Sequence, residues 1–309
     1  MALVLTKGRS RVIGSLHNEL LIFDPASSSL ERHAFDTDVI LVLGSAADLV
    51  VCELMEHDPR YLPLRVVVID AKDGAEKTAE LLVGEDVVDW QGDTHLWPKL
   101  PRLFFTRFAP GQEVLVLRQD EPGDVRLVRV PRVPELTDGE WPLHALLMGD
   151  RSVILGRGTV GLSVVVYDLA EDRVVRSIPL PAPLSNGPSP VLHLEESTMW
   201  VACGGTLVRL DFSSPGNVLA RDVAYWRDDQ IGGLAFDSEF TTGAVALFSS
   251  GVILSFDPDT LEVSHKAETT WSLRDVTLLD HDQFVAQVWD SDRFVVGALR
   301  QVPFALPSV

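Results

Sequence analysis

The residues best able to do chemistry in this 309-residue chain are its eight histidines and their acidic neighbours. His144 follows Glu140 by four residues, and His57 sits between Glu56 and Asp58. An imidazole titrates near pH ~6.5 without tuning, so a His beside a carboxylate can take or give a proton at neutral pH. That is the chemistry of a lyase, lactonase or cyclase. His17, His57, His95, His144 and His193 fall one to each of the first five repeats described below. Brought together, their neutral nitrogens could hold a divalent metal such as zinc, iron or nickel, with Glu53, Glu56 or Asp58 adding oxygen. No spacing of the His-x-Glu-x-x-His kind supports a metal, and the plainer reading is of solvated or singly hydrogen-bonded histidines.

Other chemical signatures are missing. The chain has no Gly-x-Ser-x-Gly elbow, no Gly-x-x-x-x-Gly-Lys-Ser/Thr loop, no Cys-x-x-Cys and no Asp-box. Gly156-Arg-Gly-Thr-Val-Gly161 has dinucleotide-loop spacing, but it lies between two expected strands and opens no helix, so it reads as a loop.

Tryptophans and arginines point to recognition. Trp97, Trp141, Trp226 and Trp271 each precede an expected first strand, and Trp289, followed by Asp290, lies between a second and a third strand. Trp combines a large contact area with a hydrogen-bond donor, which suits a binding surface. Their recurrence suits equally a structural wedge between neighbouring sheets. Trp200, inside a second strand, reads as core. Arg60, Arg107, Arg157, Arg227 and Arg293 map to the same rim and could hold an anion. The segment Cys52–Leu64, which carries Glu53, Glu56, His57 and Arg60, is longer than a tight turn requires, as binding loops often are.

The elements that must position these residues are strands. Apolar runs recur as Leu20–Asp24, Val66–Asp70, Val114–Arg118, Val164–Asp168, Leu207–Asp211, Val252–Asp257 and Phe294–Leu299, with their last residues 42 to 50 positions apart. Most end in Asp and a polar turn, as in Asp24-Pro25-Ala-Ser-Ser and Asp168-Leu-Ala-Glu-Asp. A polar fourth strand then leads away, and two shorter apolar runs precede each anchor, with Gly149-Asp150 as a hairpin turn. Four short strands per ~46 residues describe one blade of a β-propeller. The sequence therefore predicts an all-β, seven-bladed β-propeller of four antiparallel strands per blade. It forms one domain over 1–309, with blades near 1–36, 37–84, 85–134, 135–182, 183–226, 227–270 and 271–309. The third strands are apolar on both faces, as strands packed between layers are. In such a ring the second-to-third and fourth-to-first loops gather on one face around the central channel.

The repeats resemble the broad family of YVTN, NHL and quinoprotein-like propellers, on the strength of Phe23-Asp24-Pro25, Tyr167-Asp168-Leu169 and Phe256-Asp257-Pro258. That resemblance implies an architecture shared by enzymes, sensors and scaffolds, and no particular function. The Gly-His and recurring Trp-Asp of WD40 repeats are absent. Ala2–Ile13 resembles a first hairpin, and Val302–Leu306 is expected to give the last blade its own outer strand, so that the ring closes without a shared strand.

Bulk properties narrow the partners. The formal charge is −19 with no basic run, which disfavours nucleic acid and anionic membranes. The start of the chain has no signal-peptide pattern and no apolar stretch reaches ~18 residues, so a cytoplasmic protein is expected. Cys52 and Cys203 map three blades apart, too far for a disulfide. The leading expectation is an interaction module that binds a protein or peptide, a basic one suiting its charge, or a small molecule at the channel. The alternatives are the proton-transfer enzyme, with or without a metal, and a structural subunit of a larger complex.

Overall fold

The computed structural model describes residues 3–6, 11–46, 49–54, 64–70, 76–83, 88–92, 106–108, 114–121, 124–130, 144–149, 151–158, 161–181, 190–214, 218–223 and 229–301. Every regular element among them is a β-strand, and the strands form seven antiparallel sheets. Sheet 1 contains β1 (Val4–Leu5), β2 (Val12–Leu16), β3 (Glu19–Asp24) and β4 (Ser29–Ala34). Sheet 2 contains β5 (Val39–Ala46), β6 (Leu49–Leu54), β7 (Leu64–Asp70), β8 (Glu76–Val83) and β9 (Val88–Gly92). Sheet 3 contains β10 (Thr106–Phe108), β11 (Val114–Glu121) and β12 (Asp124–Val130). Sheet 4 contains β13 (His144–Met148), β14 (Arg151–Arg157), β15 (Leu162–Asp168) and β16 (Arg173–Pro179). Sheet 5 contains β17 (Val191–Glu195), β18 (Thr198–Cys203), β19 (Thr206–Asp211) and β20 (Val218–Asp222). Sheet 6 contains β21 (Ile231–Phe236), β22 (Gly243–Leu247), β23 (Val252–Phe256) and β24 (Val263–Glu268). Sheet 7 contains β25 (Leu273–Leu278), β26 (Gln283–Val288) and β27 (Phe294–Ala298), and β28 (Arg300–Gln301) returns to sheet 6.

Apart from β28, each sheet is a meander in which consecutive strands pair. The connections therefore alternate between its two ends. First-to-second and third-to-fourth connections share the turn end, and second-to-third and fourth-to-first connections share the loop end. All seven apolar runs of the sequence fall on strands, and those in β3, β15 and β23 are buried along their length.

The recurrent Asp has a local cause. Asp24 Oδ1 accepts from the amides of Ala26 and Ser27, and Asp168 Oδ1 from Ala170 and Glu171. Asp211 Oδ1 accepts from Ser213, and Asp257 Oδ1 from Asp259 and Thr260. Each carboxylate thus closes the turn that reverses the chain into the fourth strand, an Asx-type turn. Hydrogen bonds from these turns hold all four carboxyls below the usual carboxylate range.

The chain divides into two compact units, Leu3–Pro179 and Leu180–Val309. In the first, Ile13, Leu20 and Ile22 of sheet 1 pack on Val39, Cys52, Leu54, Val67 and Ile69 of sheet 2. In the second, sheet 6 is covered on both faces. Val245 and Leu247 of β22 pack with Trp200, Ala202 and Leu207 of sheet 5, whereas Ala244 and Ala246 meet Leu273, Val276 and Phe284 of sheet 7. The two-residue period of a strand sends alternate side chains to opposite layers, and burying each large one stabilises by about 1.5–3 kcal/mol. Trp200 is core, as its place in a second strand predicts. It is 4% exposed, and its indole N–H donates to the Pro258 carbonyl at 3.0 Å.

Three departures from strict four-strand repetition stand out. Val88–Gly92 lies within the expected 85–134 blade yet pairs with β8 as a fifth strand of sheet 2. Sheets 3 and 7 have three strands each among the described residues. Val4 and Leu5 pair with Ile13 and Val12, so the chain's first strand belongs to sheet 1, as Ala2–Ile13 suggested. At the other end Arg300 and Gln301 cross to Lys266 and His265 of sheet 6. The expected outer strand Val302–Leu306 lies outside the described residues.

Candidate functional site

The loop end is held together by backbone bonds that repeat from sheet to sheet. In sheet 1 the hairpin at His17 and Asn18 accepts from the chain on either side of the next connection: Phe35 N donates to Asn18 O and Val39 N to His17 O, both at 2.8 Å. In sheet 5, Val223 N donates to Gly205 O and Ile231 N to Gly204 O. In sheet 6, Thr269 N donates to Gly251 O and Leu273 N to Phe248 O. Each second-to-third turn thus anchors the strand leaving its own sheet and the strand opening the next. His17, at φ 50, serves this network through its carbonyl and leaves its ring exposed.

On sheets 6 and 7 this lattice carries the two exposed tryptophans. Trp271 is 45% exposed and immediately precedes β25, and Trp289 is 50% exposed in the turn between β26 and β27. Both positions agree with the sequence reading. Trp289 N donates to Ser272 O at 2.8 Å, which binds the two segments together. Its ring meets Phe248 edge-on, with centroids 4.9 Å apart at 85°. The Arg293 guanidinium lies over Trp271 at 5.1 Å and that of Arg274 over Trp289 at 5.9 Å. Such stacking fixes the indoles and leaves the guanidinium edges to donate outward. Burial draws the Arg274 pKa down, opposed by the charges of Asp275 and Asp290. Asp290 holds φ 49 in the turn.

Beside Trp271 lies a cleft of about 350 Å³ lined by Ser249, Ser250, Glu268, Thr269, Thr270 and Ser272 as well. Thr269 Oγ donates to Gly251 O and accepts from Trp271 N, setting the approach of the indole. Gly251, at φ +68, must be glycine here, because a Cβ would run into the Trp271 carbonyl and the Thr269 hydroxyl. Under the cleft Asp229, 3% exposed, accepts from the amides of Gln230, Ser249 and Ser250 through Oδ1. The whole platform rests on a covered scaffold.

Other residues singled out from the sequence stand on other sheets, at the strand ends that face the loop end: His144 opens β13 opposite Leu155, Glu53 lies near the end of β6 opposite Val66, and Arg107 near the end of β10 opposite Leu115. Glu56, His57, Arg60, His95, Trp97, Glu140, Trp141, Trp226 and Arg227 fall outside the described residues. Of the stretch Gly156–Gly161 read as a loop, Gly156 and Arg157 instead end β14, where they pair with Ser163 and Leu162, and Gly158 N donates to Gly161 O between β14 and β15. His193 does not reach the loop end. It packs against Phe236 at 4.7 Å, Phe240 at 5.1 Å and Trp200 at 6.1 Å, and burial pushes its pKa down to about 4. Asp280, His281 and Asp282 bring ligand atoms within 4.8 Å of one another, but in an exposed turn at the opposite end. There Asp280 Oδ1 already accepts from the amides of Asp282 and Gln283. Sequence reasoning missed Phe248, which reaches Trp289 from sheet 6, and Arg274, which lies on a different strand of the same sheet as Trp289. Neither Cys52 nor Cys203 forms a disulfide, and both are buried.

No family model matches the chain, and no curated protein matches it in sequence. Solved structures do resemble it. The β-propeller domain of Cps50 (Swd1) from Myceliophteria thermophila is 10% identical with TM-score 0.59, covering 97% of this chain and 96% of that one. The hydrazine synthase of Kuenenia stuttgartiensis is 13% identical with TM-score 0.63, at 96% and 94% coverage. A chain of the mitotic checkpoint complex is 11% identical with TM-score 0.59, at 97% and 86% coverage. At such identities the likeness speaks to fold alone. With its antiparallel meanders, it makes this chain an all-β protein of the β-propeller fold.

Proposed function

We propose that this propeller is a protein- or peptide-binding module that engages its partner through the loop end. The observation that carries the reading is the pair Trp271 and Trp289, half-exposed, each under an arginine, on segments joined by the bond from Trp289 N to Ser272 O. Exposed aromatic anchors ringed by polar groups are what binding hot spots are made of. The cleft beside Trp271 has room for a partner side chain or a small molecule. A net charge of −19 attracts a basic partner at long range and disfavours nucleic acid and anionic membranes. In this reading the seven sheets are seven blades of a single domain, kin to the YVTN, NHL and quinoprotein-like propellers. Two buried cysteines without a disulfide suit a cytoplasmic setting. The carboxylates of the proton-transfer pairs, Glu140 beside His144 and Glu56 and Asp58 beside His57, fall outside the described residues, and His193 lies in an apolar nest.

The test is capture of partners by the purified chain. Replacing both tryptophans, Trp271→Ala with Trp289→Ala, should remove the captured proteins while the unfolding temperature stays close to that of the parent. Unchanged capture by a folded double variant would refute the reading.

A further inference from the structure

The cleft of about 350 Å³ beside Trp271 is marked by the polar groups it still has to offer. It has room for roughly a dozen waters at about 30 Å³ each, the space of one long side chain rather than of a folded element. The main-chain amides that border it are largely engaged. Those of Ser249 and Ser250 donate to Asp229 Oδ1, and that of Val252 to Ser250 Oγ. Gly251 N donates to Leu247 O, Thr269 N to Gly251 O, and Trp271 N to Thr269 Oγ. No lysine or arginine is among the described residues that line it. What remains are the hydroxyls of Ser249, Thr270 and Ser272, which accept as readily as they donate, the Glu268 carboxylate and the Trp271 indole.

Behind the wall formed by Ser249 and Ser250, Asp229 is 3% exposed, and its Oδ2 is buried without a hydrogen-bond partner. Buried acceptors are seldom left bare, and a carboxylate satisfied at one oxygen only keeps part of its charge uncompensated. In a position shielded from water its field acts more strongly than it would at the surface. The cations nearby are committed elsewhere. Lys266 is paired with Glu268 at 2.7 Å, and Arg293 lies over the Trp271 ring at 5.1 Å without lining the cleft. The cleft therefore suits a donor that carries positive charge.

The state of the two carboxylates distinguishes between the basic side chains. A guanidinium binds best as a fork across both oxygens of one carboxylate. Neither has both to give, because Asp229 Oδ1 already accepts from three amides and Glu268 Oε1 from Lys266 Nζ. An ammonium is a compact charge with three donors and can take one oxygen from each of several groups. We propose that this cleft receives a lysine side chain of the partner, its ammonium among the Glu268 carboxylate and the hydroxyls, within the field of Asp229, and its stem along Trp271. The proposal rests on the loop-end reading and supplies the chemistry of the partner: an exposed lysine, on a surface that a chain of −19 attracts.

The probes are the pentapeptide Gly-Ser-Lys-Ser-Gly, capped at both ends, and its forms with Nε-acetyl-lysine or arginine, added to the full chain. The readout is the Trp271 indole N–H resonance, identified by its loss in Trp271→Phe. The lysine peptide should shift it saturably, the arginine peptide should bind about threefold more weakly, and the acetyl-lysine peptide at least about tenfold more weakly. Asp229→Asn should weaken the lysine peptide about tenfold. Because Asp229 also holds three amides, Glu268→Gln is the second variant: it changes an exposed side chain, leaves the fold in place and should weaken the lysine peptide about threefold. Equal binding of the lysine and acetyl-lysine peptides would overturn the proposal, as would lysine binding unchanged by Glu268→Gln and by a folded Asp229→Asn. So would binding that appears only when Arg227, two residues before Asp229 in the sequence, is replaced by Ala, since the cleft would then belong to the chain's own arginine. None of these outcomes depends on partner capture by the Trp271 and Trp289 double variant, so the lysine assignment and the loop-end reading fail separately.

Discussion

The turn end and the loop end of these sheets are built from the same strands and differ in how they spend their side chains. At the turn end, sheets 1, 4, 5 and 6 repeat one device, an Asp whose carboxylate closes the reversal into the fourth strand. At the loop end the repeated bonds are main-chain bonds, from the opening of one sheet to the preceding hairpin. With the repeated fastening carried by the backbone, the side chains there follow no shared pattern and vary from sheet to sheet, even where Asn18, Asp229 and Thr269 add bonds of their own. His17 and Asn18 stand at the hairpin of sheet 1, Gly204 and Gly205 at that of sheet 5, and Phe248 with two serines at that of sheet 6. Repetition in side chains marks scaffold, and variation over a repeated backbone marks the surface free to acquire a binding role.

This contrast can be broken at several strengths. The largest effect should come from the scaffold beneath both ends. Trp200→Ala removes the indole between sheets 5 and 6 and its bond to Pro258, and should cost about 3–5 kcal/mol by urea unfolding. Acid should act next. His193 has its folded pKa depressed to about 4, so the native state binds its proton less readily than the unfolded chain does. Its contribution is complete above the unfolded value of ~6.5 and is lost as pH falls toward the folded one, at most about 3 kcal/mol in all. His193→Phe should flatten the stability profile between those limits, and an unchanged slope would place the titration elsewhere. Below that window the turn-end carboxylates take over. Their depressed pKa values mean stability present above the ordinary Asp range and lost as pH falls through the folded values. Asp257→Ala removes two backbone hydrogen bonds and should cost on the order of 1 kcal/mol near neutrality, read as a lowered urea midpoint.

How much of this the sequence discloses follows from how local each cause is. The runs are legible because strand, turn and, in the five that end in Asp, cap lie within eight or so residues of one another, and all seven fall on strands. Trp271 and Trp289 are legible as loop-end residues once that repeat is counted. The fate of His193 is not, because its nest is completed by Phe236 and Phe240 from the next sheet. Nor is the crossing of Arg300 and Gln301 to sheet 6, a two-residue pairing with no periodicity to betray it. The bracing of Trp289 by Phe248 and Arg274 likewise needs two sheets in register.

The smallest expected effect on stability is also the most telling. Trp271 and Trp289 are half-exposed, so replacing both with Ala should shift unfolding by only about 1 kcal/mol. The direct measurement is therefore partner capture by the parent chain and by this double variant, each checked for folding by thermal unfolding. The loop-end account predicts that captured proteins disappear while the unfolding transition persists. Capture that survives intact in a folded double variant would contradict it.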